Sequence, residues 1–330
     1  MGTIEVLKPG LLSSVQDAGR DGYRDAGVPR GGAFDSVALS VGNRLLGNSE
    51  SDAAIEMTMA GGEFRFSAET VVCISGAHAD DAMIISGDHQ HPLLHQQPTS
   101  VPVGSTLRVG RLTNGVRGYL CVSGGIQSLP VLGSRSVLVS LPDAGLGRAL
   151  IQGDAISFGA QESNGRNPSD KPGVYEPEQA QNGVRTLRIV PGTHFESFSE
   201  PQREALVDRA FRVSDQSNRV GIRLSESFIK GFLPYGIASE GTLPGYIQVP
   251  QSGSPIVLGV DGPTTGGYPV IACVIEADLP VLAQCAMREQ VQFRWVSLSD
   301  AVRAKNNQVA MIQTIMPLDP LHLPWESPNA

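Results

Sequence analysis

Apolar positions in this chain come in short, nearly continuous runs rather than in long helical stripes. Residues 71–75 (VVCIS), 119–123 (YLCVS), 187–190 (LRIV), 256–260 (IVLGV) and 270–275 (VIACVI) are separated by stretches rich in Gly, Pro, Asn and Asp. Continuous runs of this kind predict strands buried on both faces. Their number, with turn signals between them, predicts barrels or sandwiches rather than an alternating strand–helix chain. Helices are few. Asp35 is placed to cap a helix through Leu39, Val41, Leu45 and Leu46 that stops at Gly47. A second is expected after Ser199, with Glu200 and Pro201 in its first turn. A third starts near Asp278 with Pro280 just inside it, and a fourth runs from about Ser299 into the 310s. The fold class is therefore mainly β with a few helices.

The 330 residues suffice for two domains, each with its own core. Residues 161–183 hold almost no apolar side chain and read as an exposed connection. The expected organisation is an N-terminal β-barrel domain over 1–160, a linker over 161–185 and a C-terminal β-barrel domain over 186–330. The proline-rich tail from Pro317 is expected to pack loosely. A hydrophobic fraction of 41% with 18% charged residues describes a folded globular chain and excludes general disorder. The net charge of −8 argues against nucleic acid as a main partner, since phosphate binding needs a basic surface. No stretch approaches the roughly 20 apolar residues that span a bilayer, and MGTIEVLKPG lacks the build of a signal peptide. Cys73, Cys121, Cys273 and Cys285 sit in apolar runs without CxxC spacing. Buried free thiols of a cytoplasmic protein are the expectation.

Four segments could carry chemistry. In residues 260–269 (VDGPTTGGYP), a carboxylate, two hydroxyls and paired glycines suit an anion approached by backbone N–H groups, with Asp261 as base or ligand. The competing reading is a tight turn in which Gly266 and Gly267 take positive φ. Residues 214–224 (SDQSNRVGIRL) bring Asn218, Arg219 and Arg223 around Gly221, able to fork onto a carboxylate or phosphate, or to bond carbonyls in a hairpin. Near the start, Gln16, Asp17 and Arg20 cluster among glycines, while Asp35 is more economically a helix cap. In residues 124–136 (GGIQSLPVLGSRS), Arg135 between two serines reads as an anion-binding nest or a turn. His89, His91 and His95 lack further ligands at metal spacing and read as an exposed loop, so no metal is expected. No GxxxxGK[ST], GxSxG or HExxH occurs.

Together these segments resemble the allophanate hydrolase subunit 2 family, also called the biotin-dependent carboxyltransferase A/B domain family. The resemblance rests on VQDAGRDGYRDAGVPRGGAFD, GNRLLGN with Glu56 following, RGYLCVSGGI, LGSRS, SNRVGIRL and the long stretch LPGYIQVPQSGSPIVLGVDGPTTGGYPVIACVIEADLPVLAQ, in family order from about residue 3 to 303. The chain departs from the family pattern at Pro263, at Val137 and over 285–289.

The resemblance implies two linked β-barrel regions of cyclophilin-like fold. It implies membership of an ATP-dependent 5-oxoprolinase complex as its C-type component, in direct contact with a B subunit and acting with an A subunit. Such complexes open 5-oxo-L-proline to L-glutamate with ATP hydrolysis, and the chain is not expected to act alone. ATP would be bound by the complex rather than necessarily by this chain. Other members imply a carboxyltransferase that moves a carboxyl group from carboxybiotin to urea, or a regulator acting with a kinase-inhibitor partner. The site implied has Asp261, Thr264, Thr265 and Arg219 as catalytic residues. Asn218, Gly266, Gly267, Tyr268, Gln248, Gln284 and Arg135 would bind substrate, and Glu276 would fix the loop.

Overall fold

The computed structural model describes residues 1–141, 145–160, 175, 180–181, 183–229 and 237–323. The chain folds as two units interleaved in sequence. One comprises 1–20, 31–177 and 311–330, the other 21–30 and 178–310. The expected linker falls mostly outside the described residues, and its last two positions, Val184 and Arg185, open a strand.

The first unit supplies β1 (Gly2–Lys8), β2 (Leu12–Gln16), α1 (Ser36–Leu45), β3 (Ala54–Thr58), β4 (Glu63–Phe66), β5 (Thr70–His78) and β6 (Met83–Ser86). It continues with β7 (His89–Pro92), β8 (Thr99–Val101), β9 (Thr106–Arg108), β10 (Thr113–Val122) and β11 (Ala155–Phe158). These make a six-stranded sheet in the order β11-β1-β4-β9-β6-β7 and a five-stranded sheet in the order β2-β3-β10-β5-β8. Ile4, Val6, Phe64, Phe66, Ile84 and Leu107 of the first sheet share one core with Ile55, Met57, Val72, Ile74, Leu120 and Val122 of the second. The five-stranded sheet also buries its other face, under α1, which explains why VVCIS and YLCVS are apolar without alternation. Tyr119 and Cys121 point to the helix there, beside Leu39. Gly42 allows that approach, because a Cβ on it would lie 2.6 Å from both Cys121 Sγ and Ser75 Oγ.

Asp35 caps α1 by accepting from the Ala38 N–H at 2.9 Å, and Gly47 takes φ 74° just beyond its end. Glu56 accepts from the Tyr119 hydroxyl (2.7 Å) and the Phe34 N–H (2.9 Å), and Tyr119 accepts from the Asp35 N–H (2.8 Å). Burial first, and then the Glu56 charge, pushes the Tyr119 phenol well above its ordinary range. His89 and His91 lie in a strand and not a loop, since β7 pairs with β6 as a hairpin at the sheet edge, while His95 follows in a turn. The tail also departs from expectation as far as residue 323. Leu318 packs partly buried against the α1 cluster, the Leu321 N–H and carbonyl bond Pro98 and Ser100, and Leu323 is 2% exposed in the core.

The second unit forms a closed seven-stranded barrel in the order β12-β19-β16-β17-β14-β13-β20. Its elements are β12 (Val184–Pro191), α2 (Glu200–Ala205), β13 (Ala210–Val213), β14 (Gly221–Ser225), β15 (Glu240–Gly241), β16 (Tyr246–Gln248) and β17 (Ile256–Leu258). After them come β18 (Thr265–Gly266), β19 (Val270–Val274), α3 (Leu279–Ala283), β20 (Gln290–Trp295) and α4 (Leu298–Thr314). A parallel pairing of β12 with β20 closes the barrel. Its interior packs Phe211 against Phe293 and Phe228 at 5.8 Å. The short strands β15 and β18 pair with each other and lead into β16 and β19, which are neighbours in the barrel. No helix of the described residues is long and apolar enough to cross a membrane.

All four cysteines are free, three of them buried. Burial pushes the Cys121 thiol up to about 12, Cys273 up to about 11, and Cys73 well above its ordinary value. A raised pKa keeps the thiol protonated at pH 8, and the thiolate is the nucleophile. Iodoacetamide at pH 8 should therefore leave Cys73, Cys121 and Cys273 unmodified in the native protein on the timescale in which they react in denaturant. Mass spectrometry checks this, and rapid native labelling of Cys73, Cys121 or Cys273 would contradict it.

Candidate functional site

Arg219 stands immediately before β14 and Asp261 just after β17, and these two strands are antiparallel neighbours. The ends of the pair are clipped by backbone bonds from Asp261 N–H to the Arg219 carbonyl (3.1 Å) and from Gly259 N–H to Val220 (2.9 Å). Across them Arg219 Nε donates to Asp261 Oδ2 at 2.9 Å and Nη2 donates to Oδ1 at 2.8 Å. The side chains are 4% and 0% exposed. The guanidinium does fork onto a carboxylate, and that carboxylate is the chain's own. With both oxygens of Asp261 held by one arginine, the pair is built to position the loop that follows it.

That loop carries Thr264, Thr265, Gly266, Gly267 and Tyr268. Thr265 and Gly266 form β18 opposite Gly241 and Glu240, Thr242 N–H donates to the Thr264 carbonyl at 3.0 Å, and the Thr242 hydroxyl donates to the Pro263 carbonyl. Neither Gly266 nor Gly267 takes positive φ, so turn strain is not their reason. A Cβ on Gly266 would stand 2.6 Å from Gln248 Nε2, so a side chain there would displace the end of Gln248. Gln248 is 4% exposed, and its Nε2 is buried without a hydrogen-bond partner. Gly267 and Tyr268 are exposed, Tyr268 to 49%. Glu240 of β15 lies beside Thr193 and His194, a cluster that sequence reasoning missed although His194 sits in a glycine turn between two predicted elements.

Other predicted residues fall elsewhere. Asn218 is exposed and turns its side-chain oxygen onto the Val220 N–H at 2.8 Å. Gln284 is fully buried at the end of α3. Glu276 is 68% exposed and pairs with Lys305 at 3.0 Å. Over 285–289, Glu289 ties Arg185 (2.8 Å) and the Ala286 N–H (2.7 Å) into a closed turn. Arg135 belongs to the first unit, where it donates to the Ser128 carbonyl and to Gln127 Oε1, both at 2.7 Å. The nest around it does hold an anion, Asp17, which accepts from Ser134 Oγ (2.6 Å), Arg135 N–H (2.6 Å), Gly19 N–H (2.8 Å) and Ser136 Oγ. No group of three side chains suited to hold a metal ion stands together among the described residues.

Residues 26–295 match the family model described as carboxyltransferase domain, subdomain A and B. The chain belongs to that family. Among curated carboxyltransferase-domain relatives, the C component of Escherichia coli 5-oxoprolinase is 34% identical over 92% of this chain and 95% of its own length. Its Haemophilus influenzae counterpart is 32% identical over 94% and 97%. Urea amidolyase of Saccharomyces cerevisiae is 31% identical, with the match covering 94% of this chain and 18% of that protein. Among solved structures, Kluyveromyces lactis urea amidolyase superposes with a TM-score of 0.83 at 30% identity, over 97% of this chain and 20% of the larger one. The carboxyltransferase domain described here is thus similar both to a separate subunit and to one part of a much longer protein.

Removing one member of the buried pair strands the other charge, at a cost of about 3–5 kcal/mol. Arg219→Met should lose that much in urea-monitored unfolding, and adding Asp261→Leu should recover most of it. Equal and additive losses would show that the two residues do not act as a pair.

Proposed function

We propose that this chain is the C-type component of an ATP-dependent 5-oxoprolinase, working in the cytoplasm with a B subunit as direct partner and with an A subunit. The assembly would convert 5-oxo-L-proline to L-glutamate at the expense of ATP, and the chain would be silent alone. The observation that carries this reading is the 34% identity with the E. coli protein, sustained over 92% of this chain and 95% of that one. A lactam carbonyl is a poor electrophile, and ATP supplies a phosphoryl group to activate it. Arg219 and Arg135 are both engaged internally, and Gly266 lies in a strand pairing. These residues do not make a phosphate cradle, which favours a nucleotide held by the assembled complex. What this chain offers a small lactam is the exposed hydroxyl of Thr265 and the Tyr268 ring, on a loop braced by Asp261, Thr242 and Gln248.

A second reading is favoured by the likeness to K. lactis urea amidolyase over 97% of this chain. In it the chain accepts a carboxyl group from carboxybiotin and passes it to urea or a related amide.

Co-expression with B and A partners decides between them. Glutamate and ADP should form only with all subunits and 5-oxo-L-proline present, and the chain alone should form neither. A complete complex that leaves the lactam intact but consumes carboxybiotin with urea would replace the first reading with the second.

A further inference from the structure

Beside β18 stands a cluster that the chemistry above leaves unused. Thr193 Oγ1 donates to Glu240 Oε1 at 2.9 Å and lies 3.0 Å from His194 Nδ1, which is itself 3.6 Å from the same Oε1. The histidine is tied to one end of the 265–270 loop, where its N–H donates to the Val270 carbonyl at 3.0 Å and the Val270 N–H approaches Nδ1 at 3.3 Å. Glu240 is tied to the other end through its pairing with Gly266. The two residues therefore clasp the loop from both sides.

The Val270 N–H favours a bare Nδ1, whereas Thr193 and Glu240 favour a protonated one. The contacts through Thr193 are the shorter, and they align as a relay from Nδ1–H to Oγ1 and from Oγ1–H to the carboxylate. Behind Glu240 stand Tyr246 of β16 and Cys273 of β19. The Tyr246 phenol is pushed up by burial first, then by Cys273 and Glu240, and so stays neutral. Nε2 bonds to none of the described residues and is left with its lone pair. An imidazole anchored at one nitrogen and open at the other is suited to pass a proton at the open one.

We propose that His194 is the proton-transfer residue for the scissile amide, with Thr193 and Glu240 as its positioning residues, a role that rests on the lactam-opening reading. In that step the lactam oxygen carries the phosphoryl group supplied by ATP; a water oxygen bonds to that carbon, the water proton passes to Nε2 and the C=N π pair moves to nitrogen. The new hydroxyl then re-forms a carbonyl with loss of its proton to solvent, the C–N bond breaks with its electron pair on nitrogen, and the proton on Nε2 follows that pair. The products are a free amine and an acyl phosphate, from which a second water releases phosphate and leaves a carboxylate.

The test uses the assembled complex with His194→Gln, His194→Asn and Thr193→Val, each confirmed to co-purify with its partners. It is joined by ¹⁵N-histidine NMR of the wild-type chain. Either His194 variant should lower kcat by about 10²–10⁴-fold with KM within about threefold, and should change the pH profile of kcat. Thr193→Val should lower kcat about tenfold, and the neutral wild-type imidazole should carry its hydrogen on Nδ1. Full activity with an unchanged pH profile in the His194 variants, or a neutral imidazole protonated on Nε2, overturns the proposal and leaves the lactam reading intact. A wild-type complex that cannot open the lactam overturns both.

Discussion

The buried pair between Arg219 and Asp261 sets where the rest of the candidate site emerges. Taking two charges out of water costs several kcal/mol each, and only a geometry that satisfies both ions repays it. Here two adjacent strands supply that geometry, since β14 begins just after the arginine and β17 ends just before the aspartate. Once the pair forms, the chain leaving Asp261 has a fixed start. It must pass Thr242 and cover Gln248 before it rejoins the barrel as β19. The loop's shape thus follows from an ion pair at its base.

The first unit repeats the same logic with different chemistry. Asp17 is buried, and its charge is met by two serine hydroxyls and two backbone N–H groups instead of a guanidinium. Arg20, also buried, donates to the Ser136 carbonyl nearby. Two arrangements that could bind an external anion are therefore filled by the protein's own aspartates. The proposed chemistry accordingly falls to neutral and titratable groups around β15 and β18: hydroxyls, an amide and an imidazole.

Much of this was legible in the sequence. The α1 cap at Asp35, the stop at Gly47 and the strands at VVCIS and VIACVI depend on local rules and appear where those rules put them. The relation of the chain to its family was also legible, because the SNRVGIRL and VDGPTTGGYP segments survive together in order. What misled was polarity read without partners. The histidine segment looked like a loop, yet an edge strand needs only one covered face. The proline-rich tail looked loose, yet Leu318 and Leu323 are anchors too few to register as a pattern.

The sequence by itself determined the strands with long apolar runs and the four helices, because propensity, capping and hydrophobic runs act within a few positions of the chain. Only the tertiary structure decided which charges are spent on one another and that His194 meets Glu240. Those facts depend on residues some 40 or more positions apart being brought within bonding distance by barrel register, and no local pattern encodes that register.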